Sequence, residues 1–301
     1  MFRSVKGVFV GSGSDGMKLP GVCAEIVRLT GKAAPSVLYV GTATYDSAAA
    51  RDGQCGRLVE AGCGSEIVSL KMDDTRLTAA PKFEACDVIV VSGGNTLFAV
   101  HQWRKMGVDD LFAKAAQRGA VLSGGSAGAI FVFDSGHSDS GDPESFHPEI
   151  VAQGIPEDSK SSWEYIRVPG LGIFPGLMCP HYDKVQSNGV LRATDFDGMM
   201  ERHHGERGIG LDHWCALISE GDGTFHVLSP DGKEGSVLED GSHSKERQGR
   251  PGLWILEADA EGVVTRTLAP ASGAISDLLR PATSIKEDVR VAPILAANPT
   301  V

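Results

Sequence analysis

The stretch VLSGGSAGAI (121–130) sets one hydroxyl, Ser126, among glycines and an alanine between two apolar runs, and residues 124–128 fit the pattern GxSxG. A serine can attack a carbonyl carbon when it projects from a sharp strand-to-helix turn, where small neighbours avoid clashes with a strained backbone. The N–H that follows, on Ala127, then faces the place where an oxyanion would form. The alternative is a glycine-rich turn with a capping serine. The strand-like run before Ser126 and the helical AGAIFVF after it favour the nucleophile. A hydroxyl also needs a base. CPHYD (179–183) turns at Pro180 after an apolar run, which places His181 at a strand end. A third group must orient that histidine and compensate its charge once it is protonated. GHSDS (136–140) offers Asp139, with Asp183, Asp195 and Glu201 as competitors that spacing does not rank.

Two further glycine clusters end apolar runs. In SGGNT (92–96) the glycines, Gly94 above all, can bring a backbone N–H to the same place, while Asn95 or Thr96 can cap the next helix and Asn95 can also meet substrate. GSGSDG (11–16) matches GxGxxG, but a dinucleotide site also needs an acid at the end of the second strand. That strand ends in GTATYD, with Asp46 several residues past it, so no NAD or FAD, and no other cofactor or metal, is expected.

The elements that must position these groups alternate. VKGVFVG (5–11), PSVLYVGTA (35–43), SEIVSL (65–70), DVIVVSGG (87–94) and AVLSGG (120–125) read as short buried strands, with helical spacing over 19–31, 48–61, 96–106 and 109–119. Continuous apolar strands separated by helices indicate a mostly parallel α/β sheet with helices on both faces. Residues 134–168 are polar and too long for an ordinary connection, which predicts a functional loop or lid. The segment 207–232 predicts two or three antiparallel strands and 252–269 a hairpin, so an antiparallel extension follows toward the C-terminus, with a tail from about 235. With no repeat or linker, one domain over 1–301 is expected.

Composition narrows the partners. The formal charge of −11 argues against nucleic acid or an anionic membrane. No apolar stretch approaches the roughly 18 residues of a membrane span, and the N-terminal apolar run is too short for a signal-peptide core. Six cysteines without a CxxC pair fit reduced thiols in the cytoplasm.

The SGGNT strand end, the GGSAGA elbow, the GHSDS stretch and the CPHYD turn, in that order, resemble the peptidase E and cyanophycinase family of serine peptidases. RGIGLDHWCAL (207–217) is similar to that family's strand after the histidine, and the resemblance covers roughly 5–230. It implies a flavodoxin-like fold related to class I glutamine amidotransferases, with serine in place of their cysteine. It also implies Ser126 as nucleophile, His181 as base, Asp139 as acid, and Gly94 and Ala127 as oxyanion-hole backbone. After the histidine the family's dipeptidases carry a glycine- and glutamate-rich stretch, where this chain reads KVQSNGVLRATDFDG (184–198).

The expected activity is therefore hydrolysis of amide bonds in short peptides, with aspartate-containing ones among the candidates, through an acyl-enzyme. An aspartate substrate would need a basic partner, and Lys184 and Arg192 are the nearest in sequence after His181. A homodimer is left open. The rival readings are an α/β-hydrolase-type esterase and a catalytically silent binding protein of the same fold.

Overall fold

The computed structural model describes residues 2–64, 67–235 and 249–300. The expected strands form one side of an eight-stranded sheet, ordered β14-β11-β10-β1-β5-β4-β2-β3. Its parallel part is β1 (Lys6–Val10), β5 (Val121–Gly125), β4 (Val88–Val91), β2 (Val37–Val40) and β3 (Ile67–Leu70). Residues 65–66 of the expected third strand lie outside the described residues. On the other side of β1, antiparallel, come β10 (Ala216–Glu220), β11 (Thr224–Leu228) and β14 (Ser272–Ala274).

Alternation along each strand splits the core in two. Val8, Val37, Tyr39, Val88 and Val90 face one cluster, which also holds apolar residues of α1 (Ser14–Met17), α2 (Pro20–Thr30) and α3 (Ala48–Glu60). Phe9, Leu38, Val40, Ile89 and Val91 face the other, with α4 (Arg76–Ala85), α5 (Thr96–Met106), α6 (Asp109–Arg118) and α7 (Ala127–Ile130). The period of two along a strand is what allows both faces to bury apolar side chains. The local helix signals are ordinary ones. In α2, Pro20 occupies the first turn, Val22, Cys23, Ile26 and Leu29 are buried, and Gly31 ends the helix at φ 66°.

The chain that leaves β1 enters helices on one face, and the chains that leave β4 and β5 enter helices on the other. In open α/β sheets a crevice opens at the carboxyl ends of strands where connections part in this way. Here it opens between β1 and β5, and Ser126 directly follows β5.

A second, six-stranded sheet, ordered β13-β12-β9-β8-β6-β7, is a feature the sequence reading missed. The predicted loop 134–168 starts inside β6 (Phe133–Ser138) and ends in β7 (Ile166–Pro169), which pair antiparallel. Only the segment between them is available as a lid. Of the strands expected over 207–232, β9 (Gly208–Leu211) leaves for this second sheet, parallel to β8 (Phe174–Cys179). The hairpin β12 (Leu253–Ala258) and β13 (Val264–Leu268) extends that sheet. Part of the expected C-terminal extension, 236–248, lies outside the described residues. Phe9, Phe133 and Phe174 tie the two sheets together, edge to face, with ring centroids 5.5–6.4 Å apart. On its outer side, Leu177, Tyr182 and Trp254 pack on Phe196, Met199 and Met200 of α8 (Arg192–Arg202). The six cysteines are buried and none is in a disulfide.

Candidate active site

Ser126 has φ 57° and ψ −119°, a conformation that β-carbon sterics disfavour in any residue but glycine. Its neighbours explain why the turn can be this tight. A β-carbon on Gly125 would lie 1.9 Å from the Ser12 carbonyl oxygen, and one on Gly128 2.1 Å from that of Val91. The glycines of the elbow are therefore demanded by backbone crossing backbone. Ser126 donates its N–H to the Val10 carbonyl at 3.1 Å, and its own carbonyl accepts from Ala129 and Ile130, which starts α7. Two glycine loops flank the side chain. A β-carbon on Gly93 would lie 3.5 Å from Ser126 Cβ, and one on Gly13 3.9 Å away. GSGSDG is thus a wall of this site.

His181 also has a positive φ, 50°, just after β8. Its N–H donates to the Gly11 carbonyl at 3.0 Å. Consecutive carbonyls at the end of β1, those of Val10 and Gly11, thus hold the backbones of the serine and the histidine. As the first residue of α7, Ala127 has an N–H with no acceptor inside the helix. Gly94 is exposed at φ 115°, and a β-carbon there would lie 2.1 Å from the Ala43 carbonyl oxygen.

The third member differs from the expectation. His181 Nδ1 lies 2.8 Å from Nδ1 of His213, in the turn between β9 and β10. His213 Nε2 lies 3.4 Å from an Asp15 carboxylate oxygen, and its backbone N–H donates to Asp183 Oδ1 at 2.7 Å. One proton arrangement satisfies every contact: His181 Nδ1–H donates to His213 Nδ1, and His213 Nε2–H donates to Asp15. This tautomer is assigned from the network. It leaves the His181 Nε2 lone pair unused by this network. Burial, reinforced by the Arg192 guanidinium and then by His213 and Lys184, holds His181 well below the usual imidazole range. Burial likewise lowers His213, against the pull of Asp183 and Asp15.

Asp139 is not on the His181 ring. Its Oδ2 accepts from Gln186 Nε2 at 3.0 Å and from Arg192 Nη1 at 3.3 Å. A fully buried guanidinium needs a counter-charge, and Asp139 supplies it. The same pairing corrects the expectation for Arg192. That side chain also donates to the His137 carbonyl at 2.8 Å and sits over the Tyr165 ring, so it is part of the packed interior and is not offered to substrate. Asp195 does orient a histidine, but it is His137, at 2.8 Å. Burial pushes that imidazole down to about 4. Asn95 is buried as the cap of α5, accepting from the Phe98 N–H at 2.9 Å, and its amide donates to Ser145 Oγ at 2.9 Å. It clamps the segment after β6 and also lines the cavity that opens beside Gly94. Lys184 Nζ lies 3.6 Å from Asp183 Oδ2 and stays partly exposed beside the histidine pair.

Sequence reasoning did not assign a role to His213 or Asp15. The only signal was that GSGSDG and GLDHW both follow strands, and nothing in the sequence says that these strand ends meet. One carboxylate–histidine cluster among the described residues, Glu25, Glu220 and His226, has metal-ligand spacing. Arg28 already bridges both of its carboxylates, and Glu220 lies opposite Lys6 in the strand register, at the end of β1 away from the serine.

The family model described as peptidase family S51 matches residues 8–227. The chain belongs to peptidase family S51. The match spans both glycine loops, the elbow, His181 and His213, and the S51 assignment agrees with the resemblance carried by the motifs. A Bacillus subtilis (strain 168) protein named uncharacterized peptidase YgaJ is 34% identical over 48% of this chain and 51% of its own length. A Trypanosoma brucei brucei protein named G2/mitotic-specific cyclin-1 is 29% identical over 99% of this chain and 95% of its own. The crystal structure of a peptidase from an acI-B1 Actinobacterium shares the fold, with TM-score 0.56 and 15% identity over 90% of this chain and 96% of that one. Membership makes this S51 chain a serine-type peptidase by family. No helix among the described residues is long and apolar enough to cross a membrane.

Proposed function

We propose that this S51 chain hydrolyses amide bonds of short peptides through an acyl-enzyme on Ser126. His181 Nε2 takes the hydroxyl proton as Oγ attacks the carbonyl carbon. The oxyanion is held by the N–H groups of Ala127 and Gly94. His181 then protonates the leaving nitrogen, the C–N bond breaks, and water attacks the ester with His181 again as base. His213 holds His181 Nδ1–H, and Asp15 at the far end of the relay compensates the imidazolium. The observation that carries this reading is the strained Ser126 and the left-handed His181, both hydrogen-bonded to adjacent β1 carbonyls. A purely regulatory protein, as the trypanosome relative's name would suggest, has no need of that strain.

The segment 139–165 supports small substrates. It is pinned beside the site by Asn95 and by Tyr45, whose hydroxyl donates to the Ser145 carbonyl at 2.7 Å. Di- to tetrapeptides fit such a site better than folded proteins do. Six buried cysteines without a disulfide favour a reducing compartment, the cytoplasm. The test is fluorophosphonate labelling together with a panel of short peptides. Wild type should label at Ser126 and cleave some members. Ser126→Ala should fold, fail to label and retain far less than about a tenth of the turnover. Equal turnover by Ser126→Ala would refute the assignment.

A further inference from the structure

A cavity of about 470 Å³ opens beside the elbow, lined by Ala43, Tyr45, Gly94, Phe146 and Val151, with Glu144 among its walls. Its floor is the loops after β2 and β4. In the sheet order β1-β5-β4-β2, these lie on the side of Ser126 away from β1 and His181. That placement assigns the two halves of a substrate. The leaving nitrogen must reach His181, so the acyl half extends the other way, past Gly94 and into this cavity. The walls are firm. Tyr45 and Asp46 both hold positive φ, 52° and 58°. The Asp46 carboxylate accepts the Met72 N–H at 2.9 Å, and the Tyr45 hydroxyl accepts from Asn298 at 3.0 Å. The Tyr45 ring packs on Phe98 and His147 with centroids 4.6 and 4.9 Å apart.

The lining is mostly apolar, with Thr44, Asn95 and Ser145 as its neutral polar members. Ala43, Tyr45, Phe146, Pro148, Val151 and Ala152 offer apolar surface, and no lysine, arginine or histidine lines the cavity. No hydrogen bond or ion pair among the described residues engages the Glu144 carboxylate. The nearby Lys160 is already paired with Glu157 at 2.7 Å. Resting on the hydrolase reading above, we propose that this cavity is the acyl-side specificity pocket, that it takes an apolar or aromatic side chain, and that it excludes aspartate. An acidic side chain would trade part of its water for apolar walls, find no cation among the lining residues and face Glu144, which costs about tenfold in kcat/KM.

The test is a matched dipeptide series Xaa–Leu with Leu, Phe, Ala or Asp at the acyl position, run beside fluorophosphonate labelling of Ser126. Wild type should favour Leu and Phe over Asp by about tenfold or more. Glu144→Gln should shrink the Leu-to-Asp ratio at least about threefold by removing the repulsion. Ala152→Phe, which narrows the cavity, should slow Phe–Leu more than Ala–Leu. Hydrolysis with Asp–Leu equal to or better than Leu–Leu, or ratios unmoved in both variants, overturns the pocket and leaves the hydrolase reading standing. Labelling without hydrolysis of any member also overturns the pocket. Neither labelling nor hydrolysis overturns the hydrolase reading, and the pocket falls with it.

Discussion

Replacing His213 with phenylalanine probes the relay at its middle. The ring keeps its size and its edge-on packing with Trp214, centroids 4.7 Å apart, but the acceptor 2.8 Å from His181 Nδ1 disappears. The backbone N–H at 213 still reaches Asp183, so the turn keeps its anchor. A buried N–H left without an acceptor costs about 1–3 kcal/mol. That cost falls on the tautomer with Nε2 free, the one catalysis needs. At about 1.36 kcal/mol per factor of ten, the loss is roughly 5- to 150-fold. His213→Asn puts an amide oxygen near the place of Nδ1 and should recover most of it. Asp15→Asn acts through a longer contact, 3.4 Å, on a carboxylate that is 60% exposed. Solvent screens such a pair, so its effect should stay under about fivefold and shrink with salt. The assay is the second-order rate of fluorophosphonate labelling at neutral pH, which needs the base but no known substrate, with thermal melts to confirm folding. Wild-type labelling by His213→Phe, or His213→Asn as slow as His213→Phe, would refute the relay.

The depressed basicity of His181 has a sign that can be checked. Its reactive form is neutral, so the acid limb of the labelling rate should fall below the ordinary imidazole value of 6.5; a limb above that value contradicts the burial argument. The same depression, with His137 held down to about 4, means that the unfolded chain binds protons the folded chain refuses. Stability should be full above about 6.5 and decline as the pH falls toward about 4, and a flat melting profile across that window would disprove it. Asp139→Asn should unfold more readily, by about 3 kcal/mol from leaving Arg192 without its counter-charge, while the surviving folded enzyme labels at nearly the wild-type rate; labelling slower by orders of magnitude would restore Asp139 to the His181 ring. Gly125→Ala should destabilise by about 3 kcal/mol or more through the clash with Ser12, whereas Gly56→Ala, on an open face of α3, should stabilise by about 0.5–1 kcal/mol; urea melts of the pair give the comparison.

The sequence by itself determined the parallel sheet, because each strand is a short apolar run between helices whose ends carry their own signals, such as Pro20 and Gly31 around α2. It marked the tight turn at Ser126 as well. The glycines around that serine are a local record of backbone crossing backbone, and GGSAG states it in five residues. His181 was legible for the same reason, a turn at Pro180 after a buried strand. What lies across from that histidine was not legible. Its partner is 32 residues away in sequence and on another strand end, and the contact exists only because β9 joins the second sheet while β10 returns to pair with β1. Asp139 sits in the more suggestive sequence, but tertiary packing buried Arg192 and drew Asp139 to it, since an unpaired buried charge costs more than a reoriented loop. Local propensity decides which residues form strands and turns. Which strand ends face one another is decided by sheet pairing, and that is a property of the whole chain.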